Sequence, residues 1–133
     1  MGFEIKDLST GERGWLAHIN QPEGPRIGKY RVNLTDLNII GVGSVLAALQ
    51  TADVLAVDEI GPMELSSKTF SNVLNRAIES NKPMVGTIHY GLRDVLVTRI
   101  KEREDVEVFT VTYENRENLH NIIADMIVEY LGK

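Results

Sequence analysis

The chain is expected to fold as an α/β domain, with a mostly parallel sheet flanked by helices and an antiparallel hairpin at its N-terminus. Three observations predict this. From residue 53 onward, short apolar runs alternate with longer segments of helical period. One run, Val54-Leu55-Ala56-Val57, is continuous rather than alternating, as suits a parallel strand buried on both faces. The stretch before residue 34 departs from that rhythm and reads as strands and turns.

Taken in order, residues 3–8 and 13–20 read as two strands joined by the turn Ser9-Thr10-Gly11-Glu12. Residues 21–29 contain Pro22, Gly24, Pro25 and Gly28 and read as a loop. Tyr30-Arg31-Val32-Asn33 is short and extended. A helix is predicted over 35–51, with Leu37, Ile40, Ala47 and Ala48 on one stripe. Gly41 and Gly43 oppose it by about 1 kcal/mol each relative to Ala. Residues 53–58 are the next strand. Ser66 or Ser67 then caps a helix that runs to Ser80 and presents Phe70, Val73, Leu74, Ala77 and Ile78 on one face. Met84 to Ile88 is a strand ending at His89. A helix over 92–103 turns Leu92, Val95, Leu96 and Ile100 inward, and Val106 to Val111 is a further strand. The last helix runs from Glu114 to Leu131, with Leu119, Ile122, Ile123, Met126 and Tyr130 inward.

Composition narrows the class. A chain of 133 residues, 43% apolar and 25% charged, is expected to form one domain over 1–133 with a real core. Net charge is −5 and the Lys and Arg residues are scattered, so no nucleic-acid footprint is expected. No uninterrupted apolar run reaches the roughly 18 residues of a membrane span, and Met1-Gly2-Phe3-Glu4 does not open a signal peptide. Cysteine is absent, which excludes disulfides and thiolate metal sites and fits a cytoplasmic protein.

The chemistry concentrates at Asp58-Glu59, where the buried run ends. Open α/β sheets bind ligands at the C-terminal ends of their strands. An apolar strand running into two acids is the Walker B pattern of P-loop nucleotide hydrolases. In that chemistry the Asp helps to hold magnesium, and an adjacent Glu can orient and polarise the attacking water. Two neighbouring acids repel unless a cation is present, which favours function over a solvated pair. The P-loop itself, Gly-x-x-x-x-Gly-Lys-Ser/Thr, is not found in the sequence. Gly24-Pro25-Arg26-Ile27-Gly28-Lys29-Tyr30 has three residues between its glycines and Tyr30 where a metal-binding hydroxyl is required. Gly41-Val42-Gly43-Ser44 has no following lysine.

Several segments together resemble one family. These are Gly2-Phe3 with Asp7-Leu8, Leu16-Ala17, Gly28-Lys29-Tyr30-x-Val32-Asn33, Asp58-Glu59-Ile60-Gly61-x-Met63-Glu64-Leu65, Gly86-Thr87-Ile88-His89 and Thr112-x-Glu114-Asn115-Arg116. In this order they resemble the P-loop nucleoside-triphosphatases that include the cancer-related nucleoside-triphosphatase and thermophile relatives. Pro62 stands where a lysine is common in that family, and Tyr90 where an arginine often follows the histidine. The resemblance implies Mg2+-dependent hydrolysis of nucleoside triphosphates to diphosphates. It also implies a P-loop βα unit ahead of the first matched segment, so the chain resembles a P-loop NTPase-like fold with that unit missing. Substrate binding and turnover are then expected to be weak or absent, and the alternative function is a non-catalytic remnant or partner-binding half.

By the same resemblance the P-loop strand lies between the strands at 84–88 and 106–110. Without it, those two strands would pair directly, accept a strand from a second copy in a homo-oligomer, or be covered by the N-terminal hairpin. The expected site residues are Asp58 for the metal, Glu59 and His89 for catalysis, and Lys29, Asn115 and Arg116 for the nucleotide. His89 can sense the γ-phosphate or simply bond its loop. Thr87 carries less weight. Glu64 and Met63 fit site chemistry or loop closure. Lys29 with Tyr30 faces phosphate or base, or aligns a turn, and Asn115 is equally an N-cap. His18, His120 and Trp15 read as structural or surface residues.

Overall fold

The computed structural model describes residues 1–132. The N-terminal half is built on a four-stranded antiparallel sheet of order β1-β2-β4-β3, formed by β1 (Gly2–Lys6), β2 (Arg13–His18), β3 (Arg26–Ile27) and β4 (Tyr30–Val32). The β1–β2 turn is closed by Asp7, whose carboxylate accepts from the amides of Ser9 and Thr10 at 2.8 and 3.3 Å. The antiparallel part is larger than the expected hairpin because the predicted loop at 21–29 contributes β3, which pairs with β4 across a tight turn at Gly28-Lys29.

A continuous helix, α1 (Leu34–Thr51), follows. The Asn33 side chain caps it, accepting from Asp36 N at 3.0 Å. Its middle, Leu37–Val42, is π-helical. A π-turn holds about one residue more than an α-turn. The apolar stripe therefore slips: Leu37, Ile40 and Val45 are buried, while the predicted Ala47 is exposed. Gly41 has a packing reason. A Cβ there would lie 3.1 Å from the Phe70 ring and 3.2 Å from the tip of Ile5, so the missing side chain lets neighbouring elements close on the helix. Over its 18 residues α1 has a mean hydropathy of 1.3, enough by length and composition alone to cross a membrane. That differs from the sequence expectation because an average tolerates Asp36 and Asn38 where an unbroken run does not. Leu37 and Val45 join the core with Leu16, Ala17 and Val32 of β2 and β4.

The second half carries the parallel pair, β5 (Leu55–Ile60) and β6 (Met84–Ile88). Between them lie α2 (Pro62–Leu65) and α3 (Lys68–Glu79). Ser67 caps α3 and is itself buried. Its hydroxyl accepts from Phe70 N at 3.0 Å and donates to Asn38 on α1 at 2.6 Å. Phe70, Val73, Leu74 and Ala77 form the expected buried face. After β6, α4 (Val95–Glu102) begins at an Asp94 cap and buries Leu96, Val97 and Ile100. Val95, expected inward, is 75% exposed on the first turn of the helix, which starts three residues later than predicted.

Two expectations fail near the C-terminus. Residues 106–111 form no ladder, and the last helix, α5 (Leu119–Leu131), starts five residues later than predicted. Asn115 is consequently not its N-cap. The Asn115 carboxamide closes a turn instead, accepting from Thr112 N and donating to Thr110 O, both at 2.8 Å. Strand propensity alone did not secure 106–111, because a strand needs a ladder partner to satisfy its backbone. Among the described residues, β6 pairs with β5 alone. Neither direct pairing with 106–110 nor cover by the N-terminal hairpin occurs, since the hairpin completes its own sheet. Of the last helix's expected inward residues, Leu119 is buried whereas Ile122, Met126 and Tyr130 are 49%, 39% and 53% exposed.

Leu74→Ala, at a fully buried position, should lower unfolding free energy by about 2–5 kcal/mol. Ala47→Lys should change it by no more than about 0.5 kcal/mol. Urea titrations of both variants check the slipped stripe; a large loss at position 47 would restore the α-helical phase.

Candidate functional site

The site is built by a flaw in the β5–β6 ladder. The register runs Leu55↔Met84, Ala56↔Val85 and Val57↔Gly86, then resumes at Ile60↔Ile88. Three steps on β5 thus match two on β6, so Asp58-Glu59 contains one extra residue opposite Thr87. Such bulges re-aim side chains and recur beside active sites. Here both carboxylates are exposed while Ile60, directly after them, is buried.

Strand β6 meets each acid with a different group. The Thr87 hydroxyl donates to Asp58 Oδ1 at 2.6 Å. His89 Nδ1 lies 3.7 Å from Glu59 Oε1, an ion pair when the imidazole is protonated. These side chains are 54% and 46% exposed, so both remain open to solvent and to a ligand. The His89 amide donates to Ile60 O at 3.0 Å, which locks the strand end beneath them.

A third carboxylate arrives from α2. Glu64 Oε1 accepts the Gly61 amide at 3.0 Å. Pro62 at the first helical position supplies a fixed φ and needs no partner for a missing N–H. Gly61 has no side chain with which to return the bond, so this capping box is half built. Burial pushes the Glu64 carboxyl above the ordinary glutamate range. The amides of Glu64 and Gly61 pull it back, and the charges of Glu59 and Asp58 add to the upward push.

Sequence reasoning brought Asp58, Glu59 and His89 to one place, and the structure joins Thr87 and Glu64 to them. Thr87, which carries less weight in the sequence, is the residue that bonds Asp58. The remaining candidates sit on other elements. The Lys29 ammonium lies 5.6 Å from the Tyr30 ring centroid, at the β3–β4 turn. Arg116 lies over the Tyr113 ring at 5.0 Å, beside the Asn115 turn. Two shallow grooves of about 240 and about 300 Å3 run between α3 and α4, lined by residues such as Asn75, Leu96 and Arg99, and include none of the candidates.

A family model described as NTPase matches residues 1–124. The chain is 40% identical over 136 residues to the nucleoside-triphosphatase THEP1 of Thermofilum pendens, covering 100% of this chain and 74% of that protein. It is 43% identical over 131 residues to that of Methanosarcina acetivorans, covering 98% and 73%. The crystal structure of THEP1 from Aquifex aeolicus superposes with a TM-score of 0.84 at 27% identity, over 95% of this chain and 76% of that one.

The raised Glu64 carboxyl makes a pH prediction. The folded state holds this proton more tightly than the unfolded state, so ionisation opposes folding. Stability should therefore fall as pH rises from the ordinary glutamate range through the raised value, and Glu64→Gln should remove that slope. Urea midpoints from about pH 4 to about pH 7 check it; a slope that persists in Glu64→Gln would assign it elsewhere.

Proposed function

The chain belongs to this NTPase family, and we propose that its bulged acidic strand end handles metal and water in the hydrolysis of nucleoside triphosphates. The observation that carries the reading is the pairing of Asp58 with Thr87 and of Glu59 with His89 across one bulge.

Asp58 is the carboxylate available to Mg2+. That ion takes one or two carboxylates and otherwise keeps water and substrate phosphates. The residues fit: Asp58 is an exposed carboxylate at the strand end, with one of its oxygens held by Thr87. When bound, Mg2+ neutralises charge on the β- and γ-phosphate oxygens. The Thr87 hydroxyl holds one Asp58 oxygen and leaves the other free. Glu59 orients a water and takes its proton as the water oxygen bonds the γ-phosphorus. The bond from that phosphorus to the β–γ bridging oxygen breaks, and the diphosphate leaves. His89 holds the Glu59 carboxylate on one side and donates toward the γ-phosphoryl oxygens when protonated. Lys29, Asn115 and Arg116 are assigned to the nucleotide on weaker support: the Lys29 and Arg116 side chains are exposed and free of carboxylate partners among the described ion pairs.

No Gly-x-x-x-x-Gly-Lys-Ser/Thr string occurs in the 133 residues, and preorganised phosphate donors supply most of the catalysis in this chemistry. The second reading, a half that binds another polypeptide without turnover, is favoured by the outer edge of β6, which has no ladder partner among the described residues.

Phosphate release from ATP, GTP, CTP and UTP with Mg2+ separates the two. The test compares the 133 residues alone with the same residues joined behind a P-loop strand and helix. The joined protein should turn over, Glu59→Gln should slow it by about 10²-fold or more with binding retained, and Asp58→Ala should weaken Mg2+-dependent binding as well. A joined protein that folds but releases no phosphate favours the second reading; normal turnover in Glu59→Gln removes Glu59 from the water.

A further inference from the structure

Glu64 is the acid in this region that the proposed chemistry does not use. It is also the most constrained of the three. Its carboxylate is partly buried and directed back along the chain, accepting the amide of Gly61 at 3.0 Å. Gly61 is the second residue after Glu59, and its backbone is extended at φ −133° and ψ −174°. A Cβ placed on Gly61 would lie 3.0 Å from Glu64 Oε1 and 3.2 Å from Glu59 Oε1. The two carboxylates therefore close on the same small space beside the Gly61 α-carbon. The same Glu59 oxygen lies 3.7 Å from His89 Nδ1, so Gly61, with the Glu64 carboxylate it bonds, and the His89 ring meet at one oxygen of Glu59.

Among the described residues the Gly61 amide has no other acceptor, and a buried donor left unpaired carries a penalty that exceeds the gain of an ordinary bond. The bond also ties two sequential pieces together: the bulged end of β5 and the first turn of α2, where Leu65 N donates to Gly61 O at 3.0 Å. Releasing Glu64 frees the bulge at the point where the ladder to β6 is already interrupted between Val57 and Ile60.

We propose that Glu64 is a positioning residue: by accepting the Gly61 amide it fixes the strand end that carries Asp58 and Glu59, without touching metal, water or nucleotide. This rests on the reading of Asp58 and Glu59 given above. It requires an acceptor at position 64 rather than a charge.

The test uses the 133-residue chain and two readouts. The first is amide hydrogen exchange at Gly61, followed by NMR. The second is paramagnetic broadening of the amides of residues 58–60 by Mn2+. In Glu64→Ala, Gly61 should exchange roughly tenfold faster, with several-fold more Mn2+ needed for the same broadening, while Leu55–Val57 remain as in the parent. Glu64→Gln, which keeps an acceptor oxygen, should stay within about twofold of the parent in both. Unchanged Gly61 exchange in Glu64→Ala overturns the proposal, as does a Glu64→Gln variant as impaired as Glu64→Ala. Asp58→Ala serves as the separate control: if Mn2+ broadening survives it, the metal reading of Asp58 fails, and the Gly61 exchange still decides the role of Glu64.

Discussion

Everything at the candidate site depends on the parallel pairing of β5 with β6 and on the single residue by which that pairing is out of step. Parallel strands far apart in sequence are joined by a crossover, here α2 and α3, and the crossover must bury its own apolar face for the strands to meet. Leu74 and Ala77 do this from α3, and Leu55 and Ile60 from β5. Once the strands are in register at Val57 and Gly86, the extra residue at Asp58-Glu59 has nowhere to go but outward. A regular strand would send the two side chains to opposite faces. The bulge instead leaves both acids in solvent, each beside a polar group from β6.

The two halves of the molecule share one hydrophobic core, and a few polar ties fix how they meet. Ser67 bonds Asn38 while capping its own helix, so the start of α3 is fixed relative to the π-turn of α1. The Lys82 amine bonds Ala48 O and Ala52 O, at 3.1 and 2.6 Å, and so caps the other end of α1 from the segment that enters β6. Between these polar ties, Gly41 lets Phe70 and Ile5 approach from opposite elements. The acidic strand end is therefore mounted on a framework that α1 spans from end to end.

Much of this was legible in the residues. The buried run before Asp58, the amphipathic face of α3 and the strand at Met84–Ile88 each follow from a local pattern that tertiary structure merely completes. The grouping of Asp58, Glu59 and His89 followed from placing two parallel strand ends side by side. What escaped was non-local. The value of Thr87 lies in a partner 29 residues away, and the register slip that exposes both acids has no signature in the sequence of either strand. Residues 106–111 have the composition of a strand, but a ladder needs a neighbour, and composition does not provide one. Asn115 has the look of a cap near the predicted start of the last helix, but in the fold its carboxamide bonds Thr110 and Thr112 instead. A uniform α-helical period points Ala47 inward, and the intervening π-turn moves it off the buried stripe.

That π-turn has a consequence for how this chain tolerates changes in length. A π-turn can be viewed as an α-helix that has absorbed one inserted residue. Removing one residue between Leu37 and Val42 would restore regular winding without shortening the domain appreciably. The side chains beyond it would keep their faces, because the π-turn uses its extra residue on the rotation that a regular turn completes with one fewer. Val45 would stay in the core. Losing a residue elsewhere in α1 would instead turn every later side chain by about 100° around the axis. The π-turn is thus the place in this helix where a one-residue gap leaves the buried face intact.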